Sequence, residues 1–229
     1  MASRSPARVR PTPIRTGRLY LEPLRTEHAE DMAVVLADPA LHTFIGGAPD
    51  PAPALRARYT RMLAGCPDPD ISWCNWVIRL SPEDGDEARL PAEPAHLPTE
   101  SAHPPAGAGH LPPEAGQLVG TVQATVGPAA HLGLGPGTVA EIAWVVGTDW
   151  QGRGIASEAA RSLVDWLDHQ GVPLVVAYIH PDHAASAAVA RAAGLTPTDD
   201  WQDDEVCWRR PPSTTPDTRH ADPSDNRSG

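Results

Sequence analysis

The sequence predicts an α+β domain in a three-layer α/β arrangement, with a mixed central sheet flanked by helices. Three observations carry that expectation. Residues 139–171 read as an apolar strand holding one acid, then a glycine-bearing turn at Gln151-Gly-Arg-Gly-Ile-Ala156, then an amphipathic helix ending at a glycine. Residues 117–126 read as a strand that a Gly/Pro loop returns to the strand at Val139, most simply as an antiparallel pair. Residues 173–179 are almost continuously apolar, as in a strand covered on both faces.

Taken in order, residues 1–16 are rich in Pro, Arg and Ser and read as a loose, disordered arm, so that a single ordered domain spans 17–210. Residues 18–24 alternate like a strand, with Leu19 and Leu21 on one side. Thr26 is placed as the N-cap of a helix that reaches Ala37 and is stopped by Asp38-Pro39. Residues 42–47 form a loop presenting Phe44, and the spacing of Leu55, Tyr59, Met62 and Leu63 gives a second helix over 52–63. Residues 72–80 form a strand. Trp73 and Trp76 within it, three positions apart, must face opposite sides, one towards the core and the other towards a groove or solvent.

Between residues 81 and 116 branched apolar residues almost vanish, and a disordered insertion joining two strands is expected. Its His96, His103 and His110 lie seven apart in a Pro-rich run with no cysteine and are not read as a metal site. Residues 184–193 make an alanine-rich helix closed by Gly194. Only short apolar runs remain, at Leu195 and at residues 205–209, before a Pro/Ser/Thr/Asp tail over 211–229 that composition marks as disordered.

Composition narrows the function. With 229 residues, Pro 27, Gly 19 and 41% hydrophobic content, one compact domain with unpacked additions fits better than two domains. A formal net charge of -11 argues against a nucleic-acid partner, which needs a basic surface, and suits a cationic substrate. Cys66, Cys74 and Cys207 form no CxxC pair and read as reduced thiols. No apolar run is long enough for a signal core or a bilayer, so a soluble, cytoplasmic protein is expected, without a membrane partner.

The turn at residues 151–156 is where an anion can sit. N–H groups at a helix N-terminus lack intrahelical partners and the dipole is positive there, while Gly152 and Gly154 remove side chains that would block approach. A phosphorylated cofactor follows. The lone acid of the preceding strand, Glu141, is a candidate general base because desolvation there raises a carboxyl pKa; a structural glutamate bonded to backbone is the alternative.

The order of elements resembles the GNAT superfamily of acyl-CoA-dependent N-acyltransferases. Gln151-Gly-Arg-Gly-Ile-Ala156 is similar to the family's Q/R-x-x-G-x-G/A pyrophosphate loop. Thr16-Gly-Arg-Leu-Tyr-Leu-Glu-Pro-Leu24, followed by Asp38-Pro39 and Phe44-Ile-Gly46, resembles the opening of the RimJ/RimL-type branch, whose members acetylate protein N-termini or small amines. Ala184-Ala-Ser186 with Gly194-Leu195 resembles its second cofactor helix.

The resemblance implies a GNAT fold with acetyl-CoA as co-substrate. Gln151, Gly152, Arg153, Gly154, Ile155 and Ala156 would hold the pyrophosphate. Trp144, Val145 and Val146 would run beside the pantetheine, with an N–H near Val146 polarising the acetyl carbonyl. His183 stands where relatives carry Asn, and Ser186 would lie near the sulfur, as a thiolate partner or as an ordinary polar residue. A comparable glutamate serves as base in some relatives, which makes Glu141 and Ser186 the catalytic candidates. The implied reaction is direct attack by a primary amine, of a small molecule or a protein N-terminus.

Dimers through sheet edges or helices are common among relatives, which leaves a homodimer open. The polar stretch 196–204 is shorter than the hairpin that walls the acceptor site in relatives. A dinucleotide enzyme fails because no acid closes the next strand, where Tyr178-Ile-His180 stands, and a Walker loop lacks its Gly-Lys-Ser/Thr. A non-catalytic acyl-CoA-binding or sensor module on the same fold is the remaining rival.

Overall fold

The computed structural model describes residues 8–81 and 116–210, apart from the Ile45 side chain. The 82–115 part of the expected insertion, with its three histidines, and the tail over 211–229 lie outside the described residues. In chain order the elements are β1 Ile14–Arg15, β2 Leu19–Pro23, α1 Ala29–Val35, α2 His42–Ile45, α3 Ala52–Ala64, β3 Ser72–Leu80, β4 Leu118–Pro128 and β5 Thr138–Val146. There follow α4 Ile155–His169, β6 Leu174–Ile179, α5 Ala184–Ala192, β7 Thr196–Gln202 and β8 Glu205–Arg209. The strands form one eight-stranded mixed sheet in the order β1-β2-β3-β4-β5-β6-β8-β7.

Pleating sorts the side chains between two layers. On one face Trp76, Ile78, Val122 and Ile142 pack against Ile155, Leu163 and Leu167 of α4. On the other, Val77 and Leu118 meet Met32 of α1 and Leu55 and Tyr59 of α3. Each fully buried leucine of this kind contributes roughly 1.5–3 kcal/mol. The two tryptophans of β3 divide as their spacing demands, Trp76 fully buried and Trp73 37% exposed.

The feature that makes a site is a break in the sheet. β4 and β5 pair antiparallel along their length, from Gly120–Val146 to Pro128–Thr138. β5 and β6 run parallel but pair over Val139–Leu174, Ala140–Val175 and Glu141–Val176 alone. Both strands continue past Glu141 and Val176 without a ladder, so a wedge opens between them on the side where β5 meets the turn into α4.

Four expectations are corrected, the first being the loop over 42–47, where His42–Ile45 form the short helix α2. The arm is packed from Val9 onwards: Val9 N–H donates to Ser72 Oγ (3.1 Å) and the Trp76 indole N–H donates to the Thr12 carbonyl (2.8 Å). The indole N–H of Trp166 donates to the Thr12 hydroxyl (2.9 Å), and Ile14–Arg15 adds an edge strand to β2. Two buried tryptophans needed acceptors, and the arm provides them.

Thr26 is not a cap. It opens a 3-10 turn, Thr26–His28, ahead of α1, its hydroxyl is hydrogen-bonded to Glu27 (2.8 Å), and the His28 ring accepts the Arg25 N–H (3.1 Å). Finally, the polar stretch after Leu195 is strand β7, hairpinned to β8 through Asp203 and Asp204, both at positive φ. As an edge strand exposed along most of its length it carries no hydrophobic alternation.

Candidate functional site

The turn between β5 and α4 is built to leave backbone donors free. Gly152 and Gly154 have φ of +74 and +75, a region that L side chains rarely adopt, and nothing lies within 4 Å of a Cβ at Gly152. Gly154 is the N-cap of α4 and offers no side-chain cap. The first intrahelical bond runs from Glu158 N–H to Gly154 O (3.0 Å), so the N–H groups of Ile155, Ala156 and Ser157 have no partner within the helix. The dipole of a 15-residue helix adds to them.

Side chains around the turn hold it still. The Gln151 carboxamide donates to Val146 O (3.0 Å), tying the turn to the end of β5. Arg18 Nε and Nη2 donate to Glu158 Oε2 (2.9 and 2.7 Å), its Nη1 and Nη2 donate to Arg153 O (3.3 Å each), and the Thr16 hydroxyl meets Glu158 Oε1 (2.5 Å). Burial raises the Glu158 pKa, but the bonds from Thr16 and Arg18 lower it more, so the carboxylate stays charged. Arg153 points away: its guanidinium donates to Asp149 O (2.9 Å), and it is not among the residues lining the cavity that the turn borders.

That cavity, about 470 Å³, fills the wedge. Trp144, Val145 and Val146 form one wall, Gln151, Gly152, Gly154, Ile155 and Ala156 the end, and His183 and Ser186 of the α5 start the other wall. All the expected cofactor residues except Arg153 therefore meet there. Phe44 of α2 stacks on the His183 ring (centroids 4.2 Å apart, 14° between planes), joining the α1–α3 connection to α5. Burial, and then His180, hold His183 below the usual histidine range, so the ring is neutral near pH 7. Free N–H groups at one end of an otherwise largely apolar channel suit a ligand with a phosphate head and a slender arm.

A second cavity of about 490 Å³ adjoins the first and shares Leu41, Trp144 and Val145 with it. Its floor is the sheet, at Asn75, Thr121, Gln123 and Ala143, and its walls come from α3 and from residues 41–50. Of the tryptophans, Trp76 lies under this floor and Trp208 is buried with the Arg191 guanidinium 5.0 Å over its ring.

Glu141 lines neither cavity. It pairs across to Thr125, in the row next to Gln123–Ala143, which places it about 7 Å along the strand from the cavity floor. Burial raises its pKa, and Glu205 of β8 raises it further. Glu205 is itself raised by burial, against the lowering by His180. Glu205 and the Arg18–Glu158 clamp were not anticipated. Arg18 does lie in the opening motif, and Glu158 is an acid in the first turn of a helix, both visible signals.

A mixed sheet split beside a helix N-terminus, with two cavities meeting at the split, suits a transferase whose donor carries a phosphate head. The model for the acetyltransferase (GNAT) domain matches residues 18–196, and the chain belongs to that family, which uses acetyl-CoA. Among solved structures it is similar to an acetyltransferase from Agrobacterium tumefaciens str. C58, with 25% identity and a TM-score of 0.56 over 86% of this chain and 93% of that one.

It is also similar in fold to RimL, a ribosomal L7/L12 alpha-N-protein acetyltransferase solved with coenzyme A (14% identity, TM-score 0.58, 87% and 97% covered). AAC(6')-Ib, solved with Parmomycin and AcetylCoA, matches at 16% identity and a TM-score of 0.56 over 89% and 99%. No curated protein matches by sequence. Among the described residues, no helix is long and apolar enough to cross a membrane.

Proposed function

We propose that the protein is an N-acetyltransferase that moves an acetyl group from acetyl-CoA to a primary amine. The observation that carries this reading is the wedge cavity, where unpartnered N–H groups of α4, the free edge of β5 and Ser186 converge beside a second cavity. Bound acetyl-CoA supplies the activated thioester. The N–H groups of Ile155, Ala156 and Ser157 bind its pyrophosphate, with Gln151, Gly152 and Gly154 shaping the loop. The backbone of Trp144, Val145 and Val146 lines the pantetheine, an N–H near Val146 faces the carbonyl oxygen, and His183 closes the channel.

The acceptor amine enters through the second cavity. Glu141, kept basic enough by its raised pKa, takes up the amine proton through water, and the Ser186 hydroxyl donates to the departing sulfur. Arg153 serves through its backbone position rather than its charge.

Thiol release from acetyl-CoA in the presence of a panel of primary amines and N-terminal peptides tests the reaction. Micromolar CoA binding without turnover of any acceptor would favour the sensor reading. Gly154→Glu places a carboxylate at the mouth of the anion site and is expected to lower CoA affinity more than 100-fold by calorimetry, with the far-UV spectrum unchanged. Unaltered affinity in that variant would sink the cofactor placement.

A further inference from the structure

The acceptor cavity holds polar groups that the reaction above leaves idle. The cavity side of the antiparallel β3–β4 pair is open rather than covered, and its side chains there are polar. Here Asn75 of β3 and Gln123 of β4 stand directly opposite each other on the cavity floor, with Thr121 one pleat further along β4 on the same face. Among the described residues, none of these three side chains makes a hydrogen bond. Tyr59 of α3, 4% exposed, adds a hydroxyl without a partner, and His42 adds a ring Nε2 without one, its Nδ1 lying 3.1 Å from Gly46 O.

Charge is scarce in the same space. Asp50 is the one carboxylate and Arg58 the one guanidinium among the described lining residues, and they stand 3.8 Å apart, so each largely compensates the other. A polycationic acceptor would find no free acid for its further charges. A bare alkylamine would leave the carboxamides and hydroxyls unpaired. A carboxamide offers both donor and acceptor, which matches a hydroxyl or a peptide unit.

We propose that the acceptor is a compact amine with a single positive charge and neutral hydroxyl or amide groups close to its nitrogen, bound by Asn75, Gln123, Thr121 and Tyr59. Those groups belong either to a small molecule or to the first peptide units of a polypeptide. This rests on the transferase reading, and it goes further by naming what the second cavity selects. Sites built to hydrogen-bond a substrate reject analogues lacking the group far more strongly than apolar pockets reject a missing methylene.

The test is thiol release by the full chain with acetyl-CoA and five probes: serinamide, a seryl tripeptide, glucosamine, hexylamine and spermidine. At least one of the first three is expected to exceed hexylamine and spermidine about 100-fold in kcat/KM. Serinamide against the tripeptide shows whether a small molecule or a peptide is preferred. Asn75→Leu and, separately, Gln123→Leu are expected to shrink that ratio about 10-fold or more, with retained CoA affinity proving each variant folded. Equal or better turnover of hexylamine or spermidine, or an unchanged ratio in both variants, overturns the inference while leaving the transferase reading intact. No thiol release above background with any of the amines removes both.

Discussion

Glu141 sits above the usual carboxylate range because of burial first and Glu205 second, and the direction fixes the pH dependence. Only the deprotonated carboxylate accepts a proton, so kcat/KM rises as pH climbs through the raised pKa. Glu141→Gln is expected to erase that limb of the profile and to lower kcat by about 10²–10⁴ with CoA affinity unchanged. Stability runs the other way. A carboxyl whose folded pKa lies above its ordinary 4.5 contributes stability below that value and loses it as pH rises through the folded pKa, so the glutamine variant is expected to melt no lower than the parent at pH 7. A variant with parental kcat at all pH values would remove Glu141 from the proton path. At this scale the sequence could place side by side the residues that line one cavity, Trp144 to Val146 and Gln151 to Ala156 without Arg153, together with His183 and Ser186. The Arg18–Glu158 clamp joins positions 140 residues apart, and no local pattern announces such a pairing.

Strand β5 has a neighbour that cannot carry a side chain. A Cβ at Gly120 of β4 would lie 2.3 Å from Val145 O and 3.0 Å from Val146 Cα, so the backbones approach there as only glycine permits. Gly120→Ala is expected to push β5 outward at the wall common to both cavities, lowering CoA affinity about 10-fold and stability by about 1–3 kcal/mol in urea denaturation. Affinity equal to the parent's would show that β5 yields elsewhere. The elements with a period were readable: β3 agrees with its expected span, and α4, β5 and β6 agree within a residue or two. Those without one were not. β7 has no apolar alternation because it is an exposed edge, and the 3-10 turn before α1 replaces a side-chain cap with a histidine ring contact, a choice that Thr26 in the sequence concealed.

For the molecule as a whole, Thr12 fastens the N-terminal run to the core. Its carbonyl and hydroxyl accept from Trp76 and Trp166, whose rings meet edge to face at 5.0 Å, so one residue satisfies the indoles of a central strand and the long helix. Thr12→Val keeps the shape and the backbone acceptor but removes the hydroxyl, and is expected to cost about 1–2 kcal/mol in thermal or urea unfolding. No loss would mean that water replaces the bond. Composition made this run look loose because Pro and Arg dominate it, whereas its packing is decided by partners 64 and 154 positions away. The two cavities, finally, share Leu41, Trp144 and Val145 rather than lying apart. Neither lining contains a cysteine among the described residues, and the Cys74 thiol is pushed up to about 12 by burial, so no thiol stands between them to carry the acyl group alone. On the proposed direct attack both substrates are aboard together, and initial-rate plots against one substrate at several fixed levels of the other are expected to give converging rather than parallel lines; parallel lines would point to an acyl-enzyme instead.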